Sequence, residues 1–458
     1  MHIVAVGGSD AGISAALRAR EVSPSAEVTV VTADAYPNYS ICGIPYYVSG
    51  EVTHWRNLAH RTYADLEAAG MGLRLDTTAR KIDVDGRLLH VTGPGGAEDT
   101  IAYDQLIVGT GAVPVRPPVA GLDALGPDDG VHLLHSMDDT FAIMRTLEEM
   151  APASAVIVGA GYIGLEMAEA LSARGLAVTQ VEQLPEVLPT VDPGLGRLVR
   201  AQLEDHGVTV RTGTAVTEIS PAGPGAPGRL RVAVTSGSGP DTVHADLVLV
   251  VTGVRPETGL AVSAGAALGP RGAIAVDARM RTGLRSVYAA GDCVVTQHRL
   301  LGRTYLPLGT TAHKQGRVAG ENAAGGDREF AGSLGTQVVK IFDYAAARTG
   351  LRDHEADAAG YDPVTIAADA DDHKAYYPGS HKIAMRFTGD RRTGRLLGVQ
   401  LVGHRHAEVA KRIDIAAAAI FNGMTVDEVS DLDLSYTPPL GSPWDAVQLG
   451  AQAWGRQA

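Results

Sequence analysis

A chain of 458 residues, 45% of them hydrophobic, can bury more than one core, so its length predicts two to four domains and excludes a single small one. The formal net charge of -13, with no long block of lysine or arginine, argues against a broad nucleic-acid or anionic-membrane surface and suits an acidic soluble enzyme. No apolar run approaches the ~18–20 residues of a bilayer span, and "MHIVAVGGSDAG" lacks the basic stretch and cleavage site of a secretory leader, so a cytoplasmic location is expected.

The first element, "HIVAVGGSDAGISAALRAR", reads as strand, glycine-rich turn and helix, with Ile13, Ala16 and Leu17 at helical spacing. Gly7, Ser9 and Gly12 occupy the places of a GxGxxG dinucleotide loop, with serine small enough for the middle position. The next strand ends in "VVTADA", where Thr32 sits at the ribose-contact position and Asp34, two residues on, is assigned to that contact. Asp10 would repel a pyrophosphate unless turned away, and is read as a helix cap worth about 1 kcal/mol ahead of a catalytic group.

"YPNYSICGIPYYVSG" (36–50) then holds Cys42, one of two cysteines; the other is Cys293. Their separation and the lack of CxxC spacing exclude a disulfide framework or a zinc knuckle, leaving a single thiol. A cysteine of ordinary pKa, about 8.5, is mostly thiol at neutral pH. An adjacent helix N-terminus and the backbone N–H groups after Cys42 are expected to favour the thiolate. Gly43 permits close backbone approach, and Pro45 suits a first helical turn.

"VTGPGGAEDT" and "PAGPGAPGRL" read as exposed turns joining antiparallel strands. "YDQLIVGTGAVP" and "ADLVLVVTGVRP" each set a buried-type strand before Thr-Gly and a proline, so two βαβ units close alike. The second unit, "SAVIVGAGYIGLEMAEALSARGLAVTQVEQ", carries a full GxGxxG at Gly159, Gly161 and Gly164. Glu182 ends the following strand, where its carboxylate can accept both ribose hydroxyls and would repel a 2′-phosphate. No arginine follows it at Gln183, Leu184 or Pro185, so NADH is favoured over NADPH. From about residue 330, strand-like runs ("GTQVVKIF", "KIAMRF", "RLLGVQLVG") and the helical "AEVAKRIDIAAAAIFNG" predict a third, α+β domain suited to dimerisation. "GHRH" (403–406) and "DADDHK" (369–374) complete no ligand set and read as solvated loops, so no metal is expected.

Together these motifs resemble the pyridine nucleotide-disulfide oxidoreductases over essentially the whole chain. "TGAVPVRPP", with Thr110 and Gly111 at its start, is similar to that family's second FAD segment. "SVYAAGDCV" is similar to its third, in which Asp292 would meet the ribityl chain. The resemblance implies FAD in the first unit, NADH in the second and a homodimer whose active sites draw on both subunits. The fold implied is α/β, two Rossmann-like domains and a C-terminal α+β domain: FAD binding at 1–118 and 251–328, NADH binding at 119–250 and dimerisation at 329–458. Tyr162 would lie over the flavin until nicotinamide enters, and Glu166 would help to place the nicotinamide.

"CGIPYYVSG" resembles the CGLPYY of the single-cysteine branch, which comprises NADH oxidases and peroxidases together with coenzyme A-disulfide and CoA-persulfide reductases. "HKAYYPGSHKI", "DLSYTPPLGSPWD" and "HKQGRVAGEN" resemble segments of the CoA-linked members. Carried over, Cys42 is the redox thiol, and Tyr436 and Tyr377 (or Tyr376) reach it from the partner subunit; tyrosines are also common at wet interfaces. Arg18, Arg20 and Arg61 would meet the CoA phosphates, or else are solvated helix-face arginines. Asn38 and Ile41 stand where relatives often place serine and asparagine, and Asp10 stands where oxidases and peroxidases carry histidine. The expected activity is NADH-dependent, FAD-dependent reduction of CoA disulfide, CoA persulfide or a related small disulfide. The alternatives are an NADH oxidase or peroxidase and a flavoprotein redox sensor.

Overall fold

The computed structural model describes residues 1–457. The chain opens with β1 (His2–Val6), α1 (Asp10–Val22) and β2 (Glu27–Val31), followed by the short α2 (Ile44–Ser49), β3 (Met71–Arg74) and β4 (Gln105–Val108). The second unit contains β5 (Val131–Leu133), β6 (Ser154–Val158), α3 (Tyr162–Ala173), β7 (Ala177–Val181), β8 (Thr209–Arg211) and β9 (Leu247–Val250). The chain then returns to the first sheet with β10 (Val287–Ala289) and runs into α4 (Gly309–Ala323). The first sheet has order β10-β4-β1-β2-β3 and the second β8-β7-β6-β9-β5, both parallel. Their strands are near-continuous apolar runs, such as "HIVAV" and "SAVIV", as sheets covered on both faces require.

Each turn-rich insertion is a three-stranded antiparallel sheet: Leu88–Thr92 turns back on Glu98–Ala102, and Ala215–Pro221 pairs with Leu230–Ser236. The two Thr-Gly-Pro segments meet each other, Ala112–Pro114 pairing antiparallel with Val254–Pro256. The outgoing and returning passes between the two units are thus zipped together.

The third unit is an antiparallel sheet of β11 (Gln337–Ile341), β12 (Tyr344–Gly350), β13 (Pro363–Asp371), β14 (Lys382–Asp390) and β15 (Leu396–His404), in the order β11-β12-β15-β14-β13. α5 (Val409–Phe421) and α6 (Ala446–Gly455) share its apolar core with Met385, Phe387 and Leu401. Helices α1 and α4 make an unusually close contact: a Cβ placed on Gly316 would stand 2.3 Å from the Ala11 carbonyl oxygen, and one on Gly320 2.1 Å from that of Ala15. That approach fixes the middle and later turns of α4 against the first half of α1.

Candidate active site

A cleft of about 1340 Å³ runs along the C-terminal ends of β1, β2 and β4 and reaches the first turn of α3. Gly7, Ser9, Asp34, Cys42, Thr110, Gly111, Tyr162, Glu166 and Asp292 all line it. Gly7 has φ of +116°, and a Cβ there would sit 2.1 Å from the Gly109 carbonyl oxygen. A Cβ on Gly12 would meet the Gly7 carbonyl oxygen at 2.0 Å, so the loop and helix close only with hydrogen at both positions. Asp34 is braced rather than free, one carboxylate oxygen accepting from the Tyr36 amide at 2.9 Å and the Thr32 hydroxyl at 3.3 Å.

Asp10 is not the cap of α1. Ser9 holds the N-cap position, and Asp10 is the first helical residue, its carboxylate 3.3 Å from His313 Nε2. The capping reading fails because the side chain turns across to α4 instead of back to its own backbone. Burial raises the Asp10 pKa, opposed by His313 and His60. Asp292, half-buried in the cleft wall, is pushed up to about 7 by loss of solvent and by the Asp10 charge.

Cys42 sits in a single 3-10 turn (Ile41–Gly43) that leads directly into α2, with Pro45 in its first turn. Its side chain is exposed to the cleft, and both cysteines are free. Cys293 is wholly buried, its thiol directed at the Ala290 and Val108 carbonyls. The protein's own groups do not lower the Cys42 pKa: crowding by the protein raises it, and the carboxylates of Glu166, Asp10 and Asp292 add to the rise. The expected helix-terminus effect is outweighed first by loss of solvent around the sulfur and then by the three acids that face it, and α2 has only six residues.

α2 is clamped to α3. Tyr46 donates from its hydroxyl to Glu166 at 3.2 Å, and Arg174 Nε donates to the Val48 carbonyl at 2.5 Å. Burial lifts Glu166 to about 7, with Tyr46 pulling the other way. Glu169, one turn further, pairs with Lys340 of β11 and accepts from the Phe342 amide at 2.8 Å, tying in the third unit.

The second glycine loop repeats the geometry of the first. Gly159 has φ of +105°, and a Cβ on Gly164 would stand 2.1 Å from the Gly159 carbonyl oxygen. Gly161 is the N-cap of α3. Glu182 is buried, its two oxygens accepting from the Ala160 and Leu184 amides at 2.8 Å each, so it also holds the loop in shape.

The remaining predicted residues lie apart from the cleft wall. Arg18 is engaged by Glu321 and Glu21, and Arg20 donates to the carbonyls of Pro24, Ala26 and Ala69. Arg61 is exposed. Asn38 is 1% exposed, with φ of +60°, its amide donating to the Gly8 carbonyl. It braces the Cys42 loop on the first glycine turn, a left-handed position that asparagine tolerates. Tyr377 and Tyr436 are half-exposed on the third unit. Tyr46, His60 and His313 were not singled out from sequence: Tyr46 lay inside "GIPYY" and His313 began "HKQGR", but nothing local marked their partners.

Among the described residues no helix is long and apolar enough to cross a membrane. A NAD(P)H sulfur oxidoreductase (CoA-dependent) of Pyrococcus furiosus is 36% identical over 449 residues, 97% of both chains. An NADH oxidase of Methanocaldococcus jannaschii is 32% identical over 455 residues, 99% of this chain and 98% of its own. Among solved structures, a NAD-dependent persulfide reductase from A. fulgidus superposes with a TM-score of 0.93 at 37% identity, covering 100% of this chain and 83% of that one. The family model for pyridine nucleotide-disulphide oxidoreductases matches residues 1–316, and that for the family's dimerisation domain matches 336–446. FAD and a nicotinamide dinucleotide are the cofactors of such enzymes. With the sheets, the paired glycine loops and these matches in agreement, the chain belongs to the pyridine nucleotide-disulphide oxidoreductase family and is an NAD(P)H-dependent oxidoreductase of disulfide or persulfide sulfur.

Proposed function

We propose that this enzyme uses NADH to reduce a CoA-linked persulfide or disulfide, or a related small disulfide, through Cys42 alone. The observation that carries the proposal is one thiol open to the cleft while the second cysteine is sealed in the core. Two of the relatives named above point the same way, being named for CoA-dependent sulfur reduction and persulfide reduction.

The residues present fit FAD. The cleft exceeds the ~300–1,000 Å³ of ordinary small-ligand pockets, and Gly7, Gly8 and Ser9 of the tightly packed first glycine turn line it beside Thr110, Gly111 and Asp292. Gly7, Ser9 and Gly12 would take the pyrophosphate, Asp34 the adenosine ribose, and Thr110, Gly111 and Asp292 the chain towards the flavin. Gly159, Gly161 and Gly164 would take the NADH pyrophosphate, and Glu182 its ribose hydroxyls. FAD, when bound, supplies two-electron transfer between nicotinamide and sulfur.

The protein's part is alignment and control of charge. Cys42, as thiolate, attacks one sulfur of the substrate; the S–S bond breaks, a Cys42 mixed disulfide forms, and the departing thiolate takes a proton. Tyr162 and Glu166, carried on α3 against α2, control entry of the nicotinamide. Tyr436 and Tyr377 of the second subunit in a homodimer would close the sulfur side of the site.

An anaerobic stopped-flow measurement on the holoenzyme tests the proposal. NADH-reduced flavin should be reoxidised by CoA persulfide or CoA disulfide, and Cys42→Ser should abolish that phase while leaving reduction by NADH intact. Reoxidation by none of these sulfur substrates, with rapid NADH consumption in air, would overturn it in favour of an oxidase.

A further inference from the structure

Asp10, His60 and His313 come from three distant parts of the chain and have no role in the reaction derived above. Asp10 opens α1, His313 lies in the second turn of α4, and His60 follows the 3-10 turn Trp55–Leu58. Their ligand-type atoms all lie within 4.8 Å of one another. The Asp10 carboxylate is 3.3 Å from His313 Nε2, and the two imidazole rings stand edge to face with centroids 6.1 Å apart.

We propose that Asp10, His60 and His313 form a binding site for a divalent transition-metal ion of the zinc, cobalt or nickel class, at the edge of the cleft that holds Cys42. Two imidazole nitrogens and one carboxylate oxygen are a donor set for such ions; magnesium and calcium prefer oxygen alone. Ligand atoms ~2.0–2.1 Å from a tetrahedral ion stand about 3.3 Å from each other, the separation already present between Asp10 and His313. Three protein ligands leave coordination open to water or to a thiolate.

The surroundings hold the ligands in place. His313 Nδ1 is 2.8 Å from the Ser14 hydroxyl, so a proton on Nδ1 donated to Ser14 leaves Nε2 as the free donor atom. The α1–α4 contact at Gly316 and Gly320 fixes Asp10 and His313 relative to each other. The His60 backbone amide donates to the Asn38 carbonyl at 2.9 Å, on the same braced loop that carries Cys42.

Calorimetric titration of Zn²⁺ into chelator-treated, flavin-loaded enzyme tests this. One ion per subunit is expected, with affinity weakened about tenfold or more in His60→Ala and in His313→Ala, and roughly 10–100-fold in Ser14→Ala. Cys42→Ser and His404→Ala should bind zinc as the wild type does, and flavin content should be unchanged in every variant. Crystals soaked in zinc should show anomalous density between the three side chains. The proposal is overturned by the absence of saturable binding, by binding that survives His60→Ala and His313→Ala, or by binding lost in Cys42→Ser or His404→Ala instead.

Discussion

Glu166 is where burial has the clearest chemical consequence. Its carboxyl, lifted to about 7, is neutral below that pH and charged above it, and it faces both Tyr46 and the cleft. The rate of flavin reduction by NADH should therefore show an inflection near pH 7 that Glu166→Gln removes; a stopped-flow pH series with both proteins checks this. Residues of this kind differ in how far sequence reveals them. Gly7, Gly12, Gly159 and Gly164 were legible because each answers a local constraint, a backbone carbonyl about 2 to 2.6 Å from any added Cβ. Asp10 was misread because its partner His313 lies some 300 residues away, and only the packing of α1 on α4 brings the two together. The direction of the Cys42 shift was equally hidden, since it depends on crowding by the folded protein and on Glu166 and Asp292 from other parts of the chain.

Two contacts between elements lend themselves to measurement. Gly320 of α4 lies against the Ala15 carbonyl with no space for a methyl group, so Gly320→Ala should destabilise the enzyme by about 1–3 kcal/mol in denaturant unfolding. On the third unit, Glu355 is gripped by Arg348 and Arg352, whose guanidinium groups also reach the Thr190 and Pro189 carbonyls. Burial works against ionisation there, but the hydrogen bonds from Arg352 and Arg348 prevail and hold Glu355 at about 2, below its ordinary 4.5. A depressed carboxyl pKa stabilises the fold above 4.5, and that contribution disappears as pH falls through about 2. After allowance for solvent screening, Glu355→Gln should cost about 2 kcal/mol at neutral pH and progressively less in acid, as equilibrium unfolding at several pH values would show.

The two parallel sheets and α5 were readable from their apolar periodicity. Strands β12 and β13 and helix α6 were not. "YAAARTG" and "PVTIAADAD" are rich in alanine, which carries no strand signal, and become strands because β15 and β14 offer them ladder partners. α6 is announced only by its Asp445–Gln448 capping box, inside a segment otherwise read for its tyrosine and prolines.

Across the whole molecule, the third unit carries an exposed group of large apolar side chains: Tyr376, Tyr377, Tyr436, Leu440 and Trp444. These residues lie in or near the segment, 336–446, that matches the family's dimerisation domain, and that match supports a homodimer. If Tyr436 serves the other subunit's Cys42, a mixture of Cys42→Ser and Tyr436→Phe proteins, unfolded and refolded together, should be more active than either parent. Equal mixtures no better than the parents would place both residues within one subunit.

The zipped pair formed by Ala112–Pro114 and Val254–Pro256 has a consequence for how this architecture can change. Because the two passes lie side by side, the intervening unit leaves and re-enters the chain at nearly one point, like a cassette plugged into a socket. A relative's nucleotide-binding segment could be spliced in at that point with the Cys42 loop left in place. On the function proposed above, coenzyme preference and sulfur chemistry sit on separate pieces of chain, and an exchange would have to keep the Tyr46–Glu166 and Arg174–Val48 contacts that join them.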